Sequence, residues 1–181
     1  MKAEATEVPR EFIVSNRFSS FEALAAAARQ WDLDFRQLDS GPVEAELTNI
    51  VTPAVILGRC RLNRRIEQRG HPPAGYRTFG LGADDSLSIR WRGKQVGPDN
   101  LMLFPPGEPL DSITEPGFDV FPLSVAEEWL ATAVGRRGID SAGERWPATD
   151  LVSAPPDAQR RLRELAANLI AAAVADSRIL G

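Results

Sequence analysis

Hydrophobic positions in this chain recur with a helical period of about 3.6 near both ends and with a period of two in between. The first dozen residues read as loose. Phe21, Leu24, Ala25, Ala28 and Trp31 then fall on one helical face. Ser19 with Glu22 fits a capping box, in which each residue satisfies a free backbone N–H of the other. Asp32 to Asp39 reads as the exit from that helix, with Gly41-Pro42 as the break.

From Val43 the period changes to two. Val43, Ala45 and Leu47 alternate with Glu44, Glu46 and Thr48; beyond Thr52-Pro53, Ile56, Gly58, Cys60 and Leu62 alternate with Arg59, Arg61 and Asn63. Folding the two runs about Thr52-Pro53 sets Glu44 opposite Arg61, Glu46 opposite Arg59, Ala45 opposite Cys60 and Val43 opposite Leu62. One face is then apolar and the other carries opposite charges, each pair contributing about 0.2–1 kcal/mol. A slip of one residue would bury the charges. Gly70 to Gly75 is a Pro-rich loop. Further strands are expected at Tyr76–Leu81, around Leu87, Ile89 and Trp91, and at Leu101–Phe104, Leu110–Thr114 and Phe118–Leu123. The turns between them are Arg92-Gly93-Lys94, Gly97-Pro98-Asp99-Asn100, Pro105-Pro106-Gly107 and Glu115-Pro116-Gly117. Turns every 8–12 residues or so mark a sandwich or barrel.

Helical spacing returns at Ser124. Ser124 with Glu127 is a second capping box, Val125, Trp129, Leu130 and Ala133 form a stripe, and Gly135 is a stop. Residues 138–156 read as irregular. Asp157 to Ile179 is a long helix with a stripe of Leu162, Leu165, Ala166, Leu169 and Ala173. The fold class is therefore mainly β with flanking helices: a β-sandwich or barrel, one N-terminal helix and C-terminal helices.

A chain of 181 residues with 43% apolar content can bury a real core as one domain, or one domain with an appendage. A net charge of −4 and a pI near 5.1 make it a poor nucleic-acid binder by itself. The single cysteine, Cys60, excludes an internal disulfide and any cysteine-cluster metal site. The N-terminus has no apolar signal core and no run approaches membrane-spanning length, so a cytoplasmic setting without a membrane partner is expected.

Little in the chain can carry catalysis. His71 is the only histidine and stands beside Pro72-Pro73, so no metal set forms, and a Ser–His–Asp or Cys–His arrangement lacks a placed base. Cys60 faces the apolar side of its strand, where a thiol is inert packing. Asp84-Asp85 and Glu127-Glu128 suit solvated charge, and no phosphate loop follows Gly80 and Gly82. No catalytic residue, metal or cofactor is expected. Arg59, Arg61, Arg64, Arg65, Arg69 and Arg77 cluster in one stretch. Parity places Arg59, Arg61 and Arg65 on an outer face, whereas Arg64 and Arg77 could reach a cavity. With Phe79, Trp91 and Phe104 they are the candidate ligand pocket, since such pockets are lined mainly by aromatic and apolar side chains.

The chain resembles the N-terminal domain of AraC-type transcriptional regulators from about Phe18 to Leu130. The matching elements are Phe-x-Ala-Leu-Ala…Trp-Asp at 21–32, Arg-Leu-Asn-Arg at 61–64, Arg-Thr-Phe-Gly at 77–80, Leu-Met-Leu-Phe at 101–104 before Pro105-Pro106-Gly107, and Pro-Gly-Phe-Asp-Val at 116–120 leading to Leu123-Ser124. No single motif is highly specific; their order is the signal. The resemblance implies a cupin-like sensor domain over residues 1–134, and a linker with a dimerisation or packing helix over 135–181. It also implies an unidentified small-molecule effector and a homodimer through Leu162, Leu165, Leu169 and Ala173. The chain stops at Gly181, where the family's DNA-binding helix-turn-helix domain would follow, so DNA contact is expected only through that missing domain. A regulator fragment and a stand-alone sensor both fit. A metal-independent cupin enzyme, such as a sugar isomerase or epimerase, would need His71 and Tyr76 together in a deep cavity. A ligand-free interaction module would have a solid interior.

Overall fold

The computed structural model describes residues 12–28, 30–97, 99–104, 108–137 and 149–175. In chain order the elements are β1 (Phe12–Phe18), α1 (Phe21–Ala27), β2 (Asp32–Gln37), β3 (Ala45–Val51), β4 (Val55–Leu62), β5 (Ile66–His71), β6 (Tyr76–Gly82), β7 (Ile89–Trp91) and β8 (Lys94–Gln95). They continue with β9 (Asn100–Phe104), β10 (Leu110–Thr114), β11 (Phe118–Ala126), α2 (Glu127–Arg136), β12 (Leu151–Ser153) and α3 (Pro156–Ala175). The strands form two antiparallel sheets, one of seven strands in the order β1-β3-β4-β11-β6-β9-β12 and one of five in the order β2-β5-β10-β7-β8. This is a β-sandwich rather than a closed barrel.

The β3–β4 hairpin has the two faces expected, in a register shifted by two residues: Glu46 pairs with Arg61, Leu47 with Cys60 and Ala45 with Leu62. A shift of two keeps every side chain on its face. The turn explains it. Thr52 N–H donates to the Val55 carbonyl at 2.9 Å, and the Thr52 hydroxyl accepts from Val55 N–H at 2.9 Å. Pro53 thereby takes the first central position, which its fixed φ suits. The hairpin β7–β8 turns at Arg92 (φ 46°) and Gly93 (φ 80°), the paired positive φ of a type I′ turn.

Several further sequence expectations change. The cap of α1 is Ser20, whose Oγ accepts from Ala23 N–H at 3.2 Å, one residue beyond Ser19. Asp32 to Gln37 is a strand paired with β5, not an exit loop; Leu33 and Phe35 turn inward while Asp32, Asp34 and Arg36 stay in solvent. Ser124 caps nothing. It is an inward residue of β11, buried, with its Oγ 2.8 Å from Thr78 Oγ1 on β6, and α2 begins after Ala126 without a side-chain cap. Residues 138–148 of the predicted irregular stretch, and the end of the predicted last helix beyond 175, lie outside the described residues; Leu151–Ser153 pairs with β9.

Two cores result. One fills the space between the sheets, with Leu47, Leu62, Ile66, Ile89, Trp91, Met102, Phe104, Leu110, Phe118 and Val120. The other lies on the outer face of the seven-stranded sheet, where α3 sets Ala166, Ile170 and Ala173 against Ile50, Leu57, Leu81 and Phe121. Beside α3 that outer face is ionic. Arg59 binds Asp119 in a two-pronged pair at 2.9 and 2.8 Å with its guanidinium 5.2 Å from the Phe121 ring, and Arg61 joins Asp119 to Glu46.

Candidate functional site

Alternation on the five-stranded sheet points Phe35 of β2, Gln68 of β5, Ser112 of β10 and Trp91 of β7 at the opposing sheet. They are consecutive cross-strand partners: Phe35 with Gln68, Gln68 with Ser112, Ser112 with Trp91. Across the gap the facing row of the seven-stranded sheet includes Asn49, Gly58, Pro122, Gly80 and Met102. The two glycines hollow this row. A Cβ on Gly58 would lie 2.7 Å from Asn49 Oδ1 and 2.9 Å from Pro122 Cγ, and one on Gly80 would lie 2.9 Å from Met102 Cε.

Between the rows is a cavity of about 80 Å³. Leu24, Ala28 and Trp31, from α1 and the turn after it, form one wall. The Trp91 and Phe104 rings meet at 4.5 Å, and Trp31 packs edge-on to Phe104 at 5.5 Å. Among the described residues no Asp, Glu, Lys, Arg or His lines the space. Cys60 does, and burial, with a smaller contribution from the Asp119 charge, pushes its thiol up to about 12, so it stays protonated.

Two donors here have no hydrogen-bond partner among the described residues: the Trp91 indole Nε1–H and the Gln68 amide Nε2. Both residues are enclosed, 2% and 7% exposed. An unmet buried donor costs about 1–3 kcal/mol, so natural cores satisfy nearly all of them. A cavity flanked by two such donors can donate hydrogen bonds to an acceptor on a guest; one protonated thiol is its only titratable lining group among the described residues, which does not equip it for acid–base chemistry.

The candidate residues read from the sequence do not converge. Trp91 and Phe104 line the cavity. Phe79 faces the opposite way, into an apolar groove of about 240 Å³ beneath α3 with Leu57, Leu101, Leu123, Leu162 and Leu165. Arg77 shares that outward parity and pairs with Glu127 at 3.3 Å. Arg64 sits after β4, donates from Nε to the Pro42 carbonyl at 2.8 Å and packs over Gly41. Of these five, only Trp91 and Phe104 lie on this cavity; β6 alternation turns Arg77 and Phe79 to the far side of the sheet. Gln68, Ser112, Asn49 and Trp31 are additions. The sequence signal for Gln68 and Ser112 is the spacing Ile66-x-Gln68 and Leu110-x-Ser112, where a polar residue occupies an inward position.

His71 and Tyr76 stay apart and outside the cavity: His71 is exposed near Asp32 at 4.0 Å, and the Tyr76 hydroxyl donates to the Pro53 carbonyl at 3.1 Å. On α3, Leu165 and Leu169 are 56% and 44% exposed, Leu162 is half-buried, and Ala173 is buried at 3% against the chain's own sheet. Among the described residues no group of three or more metal-ligating side chains forms, and no helix is long and apolar enough to cross a membrane.

No protein-family profile and no curated protein matches the sequence. Among solved structures, the AraC-like transcriptional activator CuxR superposes with a TM-score of 0.54 over 92% of this chain and 70% of that one, at 14% identity. The two share a fold. Vicilin from Corylus avellana (hazelnut) aligns over 84% of this chain and 49% of its own with a TM-score of 0.26 at 10% identity, too low to carry an argument.

Proposed function

We propose that this chain is the ligand-sensing and dimerisation part of an AraC-type transcription regulator, and that it binds a small effector between its sheets without transforming it. The observation that carries the reading is the cavity bounded by Gln68, Ser112 and Trp91, with two enclosed donors lacking partners. The fold shared with CuxR supports placing this sensor in transcription regulation. An interior without a positioned acid–base pair supports binding over catalysis. DNA contact falls to a separate domain in this reading, as the acidic net charge of −4 suggests.

The second part concerns α3. Leu165 and Leu169 form an exposed apolar ridge beside the groove containing Phe79, Leu101 and Leu123. A homodimer that packs two such ridges together would remove this surface from water.

The test is a thermal-shift panel of small metabolites, with each hit mapped by backbone amide shifts. Hits that move the amides of β5, β7 and β10 around Gln68, Trp91 and Ser112 support the reading. Hits confined to the outer face or to loops, or no hits at all, overturn it.

A further inference from the structure

We infer that the cavity takes an uncharged, mostly apolar molecule bearing a carbonyl or ether oxygen, held by the Trp91 indole N–H and the Gln68 amide. This rests on the sensor reading above and specifies what such a sensor detects.

Charge decides first. The lining side chains among the described residues include no Asp, Glu, Lys, Arg or His, so an ionic ligand would give up its water with no counter-charge there to meet it. The arginines that could have served an anion are occupied elsewhere: Arg64 on the Pro42 carbonyl, Arg59 and Arg61 on Asp119, Arg77 on Glu127.

Hydrogen-bond type decides next. Trp can only donate, and its Nε1–H is unpaired; the unpaired atom of Gln68 is also a donor. They lie one strand either side of Ser112 in a single cross-strand row. The complement is an acceptor. A polyol or sugar fits badly, because it presents hydroxyls all round, and Leu24, Leu33, Leu47, Ile89, Leu110 and Val120 offer them nothing.

Size sets the scale. An apolar cavity of about 150 Å³ accommodates benzene. The 80 Å³ here matches about three or four heavy atoms. A larger ketone, lactone or ester enters only if the wall of Leu24, Ala28 and Trp31 moves outward. That wall is carried by α1, a helix of seven residues, and the turn after it.

The experiment titrates the labelled full chain with acetone, 2-butanone and cyclohexanone, and separately with propionate and glycerol. It follows the indole N–H of Trp91, assigned by its loss in Trp91→Phe. A saturable shift with a ketone, weakened about tenfold or more in Gln68→Leu, is the expected result. Gln68→Leu keeps the side-chain volume and removes the unpaired Nε2 donor, so it folds. In Trp91→Phe the ketone is followed instead through the Gln68 amide protons and weakens likewise. The inference is overturned if no ketone saturates, if Gln68→Leu and Trp91→Phe together leave ketone affinity unchanged, or if propionate or glycerol binds as tightly. Propionate or glycerol moving the inner-face signals would sink this ligand class while leaving a sensor; inner-face silence towards these probes and towards the metabolite panel would sink both.

Discussion

Trp91 and Phe104 meet across the sandwich, one on each sheet, with ring centroids 4.5 Å apart and planes tilted by 52°. The pair ties β7 to β9 and forms one side of the cavity. Phe104→Ala removes the ring from both Trp91 and Trp31, and its expected cost is about 3–5 kcal/mol in urea denaturation. A cost below about 1 kcal/mol would mean the sheets do not close on this contact.

Gln68 offers a prediction of opposite sign. Its amide donor is enclosed and unpaired, so Gln68→Leu trades an unmet polar group for an apolar one of similar volume. Without ligand the variant is expected to match the parent or to gain up to about 1–3 kcal/mol, read from the denaturation midpoint. A clear loss of stability would mean that Gln68 already has a partner.

The two hollowing glycines differ in what surrounds them. A methyl on Gly58 meets the Pro122 ring at 2.9 Å and Asn49 Oδ1 at 2.7 Å, whereas on Gly80 its nearest neighbour is the terminal Cε of Met102 at 2.9 Å. A proline ring cannot step aside; a methionine end can. Gly58→Ala is expected to cost about 1–3 kcal/mol and Gly80→Ala distinctly less.

Cys60 should be chemically silent. With its thiol pushed up to about 12, almost none is thiolate at pH 8, and alkylation of the native protein is expected to run at least ~100-fold slower than in the denatured chain. The sign of the linked stability follows. Above pH 9.0, the ordinary value, the unfolded chain gives up this proton and the folded one does not, so the contribution of Cys60 falls as pH rises towards 12. Alkylation at comparable rates in both states would place Cys60 at the surface.

On α3 the expected outcomes divide by face. Leu165→Glu with Leu169→Glu changes exposed positions, so the chain stays folded while the proposed dimer is lost in sedimentation. Ala173→Glu puts an unpaired charge under the helix and is expected to unfold the chain or release α3. A parent chain that sediments as a monomer at all concentrations would contradict the dimer.

Legibility in the sequence followed the strength of local patterns. The β3–β4 hairpin was readable because both of its faces carry a signal, apolar on one and Glu against Arg on the other. Its register was read two residues off because the position of Pro53 within the turn depends on hydrogen bonds made by Thr52 and Val55. β2 and β5 were obscured by Asp32, Asp34, Arg36, Glu67 and Arg69 on their solvent faces, which make an edge region look like loop. Ser124 with Glu127 imitates a capping box, but the demand of Thr78 for a buried partner holds Ser124 in a strand. The site was half legible. Trp91 and Phe104 stand out as aromatics on strands, while Gln68 and Ser112 become notable only once pairing sets them in one row.

The most direct measurement is a high-resolution crystal structure of the interior, from protein purified without added ligand and again after exposure to 2-butanone. The expected result is an open cavity with Trp91 Nε1 and Gln68 Nε2 both donating to something other than the protein: ordered water in the first crystal, the ketone oxygen in the second. Sheets closed on each other, with both donors paired to protein atoms and no space between Ser112 and Gly80, would contradict it.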